Sequence, residues 1–197
     1  MHHGTLPYYE ANASAYAAKA DDLDMAIYQA RLISRLPPRA RILDVGCGSG
    51  RDAAAFSAAG HTVLAVDGSE AMCAVARARG GFDVRRMLFS EIAFEAEFNG
   101  AWCSASLLHV PKEDEADALR RVVRSLVPGG VLVGLWKKGD GQCPDAEGRL
   151  FRYHTEDSLR ALAAAVPELV LEKIVEDPDN RRPDVAWLTL IGRRTTI

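Results

Sequence analysis

The chain has 197 residues, 48% of them apolar, which is the size and composition of one ordinary globular domain. A formal net charge of -3 at pH 7 argues against an electrostatic partnership with nucleic acid or an anionic membrane. No uncharged apolar stretch approaches the roughly 18 residues that span a bilayer, and the N-terminus has no apolar signal core, so the expected setting is cytoplasmic.

In chain order, His2 and His3 are adjacent at the terminus and receive no role. From Tyr8 to about Arg35, Tyr9, Tyr16, Leu23, Ile27 and Ile33 recur at helical intervals, predicting one or two amphipathic helices that Pro37 and Pro38 stop. Arg41 to Val45 predicts a first strand, Asp52 to Ala59 a helix ended by Gly60, and Thr62 to Val66 a second strand. Ser69 reads as the N-cap of a helix through Ala78, followed by strands at Asp83 to Met87 and Ala101 to Ala105. Lys112 to Leu126 predicts a charged helix, with Arg120, Arg121 and Arg124 on its solvated face. Pro128-Gly129-Gly130 then turns the chain into a strong strand, Val131 to Trp136. Gly139 to Gly148 reads as loop, and Thr155 caps a helix over Glu156 to Ala165. Val170 to Val175 and Val185 to Ile191 are joined too closely for a helical crossover and predict an antiparallel hairpin.

Strands alternating with helices imply parallel βαβ units and an α/β open sheet with helices on both faces. The expectation is a single domain over residues 1–197 with seven strands, six parallel and one antiparallel in the edge region. Cys47, Cys73, Cys103 and Cys143 form no Cys-x-x-Cys pair and read as buried free thiols, and no residue is assigned to a metal.

The first strand runs into Gly46-Cys47-Gly48-Ser49-Gly50 and then into a helix, so the glycines fill the first strand-to-helix turn, where open parallel sheets bind ligands. A dinucleotide loop requires a third glycine where this chain has Arg51. Asp44, two positions before Gly46, suits a ligand with an ammonium group and would repel a pyrophosphate. Asp67 ends the second strand about 20 residues on, where a carboxylate accepts from ribose hydroxyls. Ribose carboxylate, glycine turn and acid together describe adenosine joined to an amino acid.

At Leu43-Asp44-Val45-Gly46-Cys47-Gly48-Ser49-Gly50 and Val66-Asp67-Gly68-Ser69 the chain resembles the class I S-adenosylmethionine-dependent methyltransferases. Ser104-Ala105-Ser106-Leu107-Leu108-His109-Val110 and Leu126-Val127-Pro128-Gly129-Gly130 extend that resemblance. Tyr8-Tyr9-Glu10-Ala11-Asn12 with Tyr16, and Gly148-Arg149 with Phe151 and Tyr153, resemble the tellurite-resistance-type branch. The resemblance implies a Rossmann-like fold, S-adenosyl-L-methionine as cofactor, and N-terminal helices over residues 1–36 capping it as a lid. It implies that Asp44 and the loop from Gly46 through Cys47, Gly48 and Ser49 to Gly50 hold the methionine end, and that Asp67 holds the ribose. Gly68 and Met72 would pack near the adenine, Leu88 and Phe89 would contact it from the loop after the third strand, and Ser69 would belong to the same cofactor-binding set. Ser104 would offer its carbonyl to the ammonium group, and Tyr9 and Tyr16 would close over the whole.

A methyl group on a sulfonium is already activated, so the chemistry needs alignment and exclusion of water rather than a nucleophilic residue. His109 is the placed candidate for a general base, against a structural histidine with satisfied hydrogen bonds. Arg51, Lys137, Arg149, Tyr153 and His154 fall on loops where they would bind an anionic acceptor or simply face solvent. Trp136 and Trp187 read as core or rim. The chain lacks Asn-Pro-Pro-Tyr, a Pro-Cys nucleophile and a basic stripe with interleaved aromatics, which favours a small-molecule acceptor over nucleic acid and a monomer or homodimer. A tRNA or protein methyltransferase, and a non-catalytic S-adenosylmethionine binder, are the competing readings.

Overall fold

The computed structural model describes residues 4–179, 181–182 and 184–195; His2 and His3 lie outside the described residues. Helices α1 (Thr5–Asp21) and α2 (Ala26–Ile33) precede β1 (Arg41–Val45), α3 (Arg51–Ala58), β2 (Thr62–Asp67), α4 (Glu70–Arg79) and β3 (Asp83–Arg86). Then come β4 (Phe98–Ser104), α5 (Lys112–Ser125), β5 (Leu126–Lys137), β6 (Gln142–Pro144), β7 (Leu150–Arg152), α6 (Glu156–Ala164), β8 (Leu169–Pro178) and β9 (Ala186–Arg194).

Seven strands form one sheet in the order β3-β2-β1-β4-β5-β9-β8. Strands β1 to β5 pair in parallel, while β9 runs antiparallel to both β5 and β8, so six strands point one way and β9 opposes them. The chain winds outward from β1 to β3 and then restarts on the other side at β4. The crevice between the C-terminal ends of β1 and β4 is therefore the topological switch point, where ligands bind such sheets.

Both faces are covered. On one, α5 and α6 bury Leu119, Val122 and Leu159 against Cys103, Leu132 and Trp136; on the other, α2 and α3 bury Leu32 and Phe56 against Ile42, Ala65 and Trp102. Truncating a fully buried Leu or Phe in either layer to alanine costs about 2–5 kcal/mol. The caps follow local chemistry: the Ser69 hydroxyl accepts from the Met72 N–H, and Thr155 Oγ1 from the Ser158 N–H, each satisfying an amide with no helical partner.

Two expectations need correction. Gly139 to Gly148 is not wholly loop: β6 pairs antiparallel with β7 as a two-stranded flap. Three-residue strands carry too little alternation to signal themselves. Only Cys73 and Cys103 are buried; Cys47 is half-buried in the glycine turn and Cys143 is exposed on β6, and all four thiols are free.

Candidate functional site

The loop after β1 is pinned by its backbone. The Gly46 and Cys47 amides both donate to the Val66 carbonyl, at 2.8 and 3.0 Å, clamping the turn to β2. Gly46 has φ +71°, and a Cβ there would stand 2.3 Å from the Ser106 Cβ, so the loops after β1 and β4 meet only because this residue is glycine. Ser106 donates to the Val45 carbonyl at 2.6 Å. Ala105, beside it, has φ 51°, a left-handed conformation that non-glycine residues rarely adopt and that is concentrated at functional sites.

Asp67 ends β2 facing this turn. Its Oδ2 accepts from the Gly48 N–H and its Oδ1 from the Ser69 N–H, both at 2.9 Å. Burial pushes this carboxyl up, and the backbone donors oppose the shift. Each oxygen keeps acceptor capacity for one further donor, an arrangement matched to two adjacent hydroxyls. Behind the loop, Asp44 is 2% exposed and its Oδ2 has no hydrogen-bond partner. Burial first, and then the neighbouring Asp52, hold the Asp44 carboxyl well above the usual carboxylate range.

Helix α1 lies across the crevice and is tied down along its length. Thr5 accepts from the Leu150 N–H at 3.0 Å, Glu10 from the Ser69 hydroxyl at 2.6 Å, and Asp21 from the Ser49 hydroxyl at 2.8 Å and from Arg79. Between these ties Tyr9 and Tyr16 pack edge to face, with ring centroids 5.0 Å apart. The cleft so enclosed holds about 620 Å³ of empty space, part of it open to solvent.

At the far end His109, 6% exposed, closes the wall. Its Nδ1 lies 2.6 Å from the Leu150 carbonyl, which only accepts, so Nδ1 carries the proton. The bare Nε2 then accepts from the Tyr9 hydroxyl at 2.9 Å. Burial, opposed by the Leu150 bond and reinforced by Arg149 and Lys137, holds the imidazole down at about 4, so it is neutral across physiological pH. Arg149 stacks 4.3 Å from the Tyr8 ring while paired with Asp145 at 2.6 Å. The Lys137 ammonium sits 3.8 Å from the centre of the Phe151 ring, and burial together with Arg182 and Arg149 holds it down to about 8.

The structure brings Tyr9, Tyr16, Gly46, Gly48, Asp67, Gly68, Met72, Phe89, Ser104 and His109 onto one cleft wall. Asp44, Cys47, Ser49, Gly50 and Ser69 stand behind that wall as its supports: Gly50 carries φ +75° into α3. Leu88 is a correction, since it lines a neighbouring groove and Met87 takes its place in the cleft. The reversal follows from β3 ending at Arg86, one residue earlier than the sequence pattern suggested. Arg51 is a second correction. Its guanidinium is committed to Asp52 and the Ala20 carbonyl, holding α1 to the loop rather than facing the cleft. His154 is a third: it is buried, donating to Glu115 at 2.8 Å, and with Trp136 anchors the β6–β7 flap. Lys137, Arg149 and Tyr153 gather around Phe151, whose ring stands 4.8 Å from that of His109, outside the cleft lining itself. Sequence reasoning missed Thr5, Ala105 and Ser106. The only signal for Ser106 was its place in a strand-to-turn segment that the family resemblance already covered.

Residues 42–130 match the family model for a methyltransferase domain. Among curated proteins, a methyltransferase of Staphylococcus carnosus is 28% identical over 126 residues, covering 63% of this chain and 61% of that one. A ubiquinone biosynthesis O-methyltransferase of Hahella chejuensis is 37% identical over 102 residues, 48% of this chain and 42% of that one. This chain thus spans less than two thirds of the length of these curated relatives. The crystal structure of Burkholderia thailandensis 1,6-didemethyltoxoflavin-N1-methyltransferase, with bound 1,6-didemethyltoxoflavin and S-adenosylhomocysteine, superposes with TM-score 0.83 at 26% identity. The match covers 96% of this chain and 86% of that one. The fold is the Rossmann-like fold of methyltransferases.

Proposed function

We propose that the chain is a class I S-adenosylmethionine-dependent methyltransferase acting on a small-molecule acceptor. The observation that carries this reading is the Asp67 carboxylate, braced by the Gly48 and Ser69 amides and aimed into a cleft whose floor is a glycine turn. The match of residues 42–130 to a methyltransferase domain and the neighbour with bound S-adenosylhomocysteine support it.

The residues fit that cofactor. Asp67 would accept from the ribose hydroxyls, and the Asp44 side, with its orphaned oxygen, together with the Ser104 carbonyl, would meet the ammonium end. Met72 and Phe89, with Met87, supply apolar and polarisable surface for the adenine. When bound, S-adenosylmethionine supplies a methyl group already activated on sulfur. What remains for the chain is to orient the acceptor and keep water out, which Tyr9, Tyr16 and the rest of α1 would do as a lid. His109 would serve as the base, with Lys137, Arg149 and Tyr153 lending a cationic, aromatic margin.

A small acceptor is supported by the names of the neighbours, which act on a toxoflavin precursor or in ubiquinone biosynthesis. We read the chain as one domain, a monomer or homodimer, working in the cytoplasm; no described helix is long and apolar enough to cross a membrane. The tyrosines of α1 and the Arg149 to Tyr153 flap are the support for the tellurite-resistance-type branch.

The test is calorimetric titration with S-adenosylmethionine and S-adenosylhomocysteine, wild type against Asp67→Ala. Losing two hydrogen bonds to a charged acceptor weakens binding by about 100-fold or more. Equal affinity in the variant, or no binding to the wild type, overturns the proposal.

A further inference from the structure

Tyr9 and His109 come from segments 100 positions apart, yet their hydrogen bond is 2.9 Å long and forms one wall of the cleft. Its polarity is fixed from outside. The Leu150 carbonyl holds the proton on Nδ1, so Nε2 accepts and Tyr9 donates. With its own proton given to Nε2, the tyrosine oxygen has only lone pairs to offer, to Tyr16 and Arg149 that adjoin it and to a group in the cleft, and a proton it receives has somewhere to go.

The surrounding charge narrows what that neighbour is. Among the described residues Asp67, at the other end, is the one carboxylate on the cleft lining; the charged groups that act on His109 are the cations Arg149 and Lys137 and the carboxylate of Asp145, which is already paired with Arg149. A protonated amine would meet Lys137 with no carboxylate free to balance it, since Asp145 is committed to Arg149. A neutral or anionic oxygen suffers neither penalty.

Building on the methyltransferase reading, we propose that the acceptor is an aryl or enol hydroxyl docked on Tyr9, and that Tyr9 and His109 act together as its proton acceptor. In the step, a lone pair of the acceptor oxygen forms the new bond to the methyl carbon while the bond from that carbon to sulfur breaks, its electron pair staying on sulfur. The acceptor's proton passes to the Tyr9 oxygen as the Tyr9 proton passes to His109 Nε2. The positive charge lost at sulfur reappears as imidazolium, which later releases its proton to water.

The strength of the base agrees with this assignment. A phenol holds its proton with a pKa of about 10, but the same oxygen becomes strongly acidic once methylated, so even a weak base near 4 takes the proton as the bond forms. A methylated alkylamine has a pKa near 10 and would keep its proton against such a base.

The experiment uses the full chain loaded with S-adenosylhomocysteine and two probes of like shape, 4-nitrophenol and 4-nitrobenzylamine, followed by calorimetry. The phenol is expected to bind at least about ten-fold more tightly than the amine, and Tyr9→Phe to reduce phenol affinity about ten-fold. Long-range proton–nitrogen NMR supplies a second readout: the His109 Nε2 resonance should stay that of an unprotonated acceptor from pH 6 to 9 and move in Tyr9→Phe. Equal or tighter amine binding, binding of neither probe, or phenol affinity unchanged in Tyr9→Phe overturns the inference. Failure of S-adenosylhomocysteine itself to bind the wild type overturns the broader methyltransferase reading instead.

Discussion

At one end of the cleft Gly46, Gly48 and Asp67 define the ligand surface through backbone amides, backbone torsions and one carboxylate, all within two consecutive strand-to-helix turns. At the other end Tyr9, His109 and Leu150 define it through contacts between α1, the turn after β4 and β7. The first end is built mainly from two neighbouring strand-to-helix turns and the backbone bonds between them. The second exists only when three distant segments have docked. Backbone-built sites tolerate changes around them and fail at single positions, whereas sites assembled from side chains can be retuned one contact at a time.

The largest expected effect strikes the local end. Gly46→Ala adds a Cβ 2.3 Å from the Ser106 Cβ at a φ of +71°, combining about 1–2 kcal/mol of backbone strain with an overpacking cost of about 1–3 kcal/mol. Thermal unfolding should fall by roughly 5–15 °C. If Ser106→Gly in the same chain recovers none of that loss, the close approach of the two loops is not what demands glycine there.

The next effect belongs to the assembled end and depends on pH. His109 is held at about 4 against an ordinary 6.5, so the folded state resists a proton that the unfolded chain accepts. Its contribution is intact above pH 6.5 and is lost as pH falls through 4, amounting to about 3 kcal/mol. Urea unfolding of wild type and His109→Gln at pH 7 and pH 4.5 reads the difference: the variant should lose less stability on acidification. Identical losses would mean that His109 is not held neutral by its surroundings. The smallest effect tests whether α1 matters at both ends. Glu10 caps the start of α4 from across the cleft, so Glu10→Ala should cost about 0.5–1 kcal/mol and weaken S-adenosylhomocysteine only slightly, leaving the phenol preference in place. Loss of that preference would show that the two ends are not separable.

The same division governs what the sequence revealed. The strand and helix order was legible from periodicity, and the glycine turn with Asp67 from spacing, because each is set by neighbours in the chain. The β6–β7 flap was not, since β7 is tied down by Glu115 of α5, which pairs with Arg152, and by Thr5 of α1, which accepts from the Leu150 N–H, residues that no local pattern links. His109 was visible as a candidate, but its tautomer and partner depended on Leu150 and Tyr9, 41 and 100 positions away. Arg51 was misread for a similar reason: a cation after a glycine loop looks free until α1 brings the Ala20 carbonyl to it. Ala105 left no trace at all, because its left-handed backbone is imposed by tertiary contact against its own preference.

Tyr16 and Tyr9 stand two turns apart on α1, one toward the cofactor cradle and one on His109, so a single helix supplies roof and acceptor contact together. On the proposed reading, acceptor contact is shared between this short segment and His109 on the body of the fold. If that reading holds, a chimera that grafts Thr5–Asp21 from a relative onto this body should shift acceptor preference while the turn that braces Asp67 keeps its geometry.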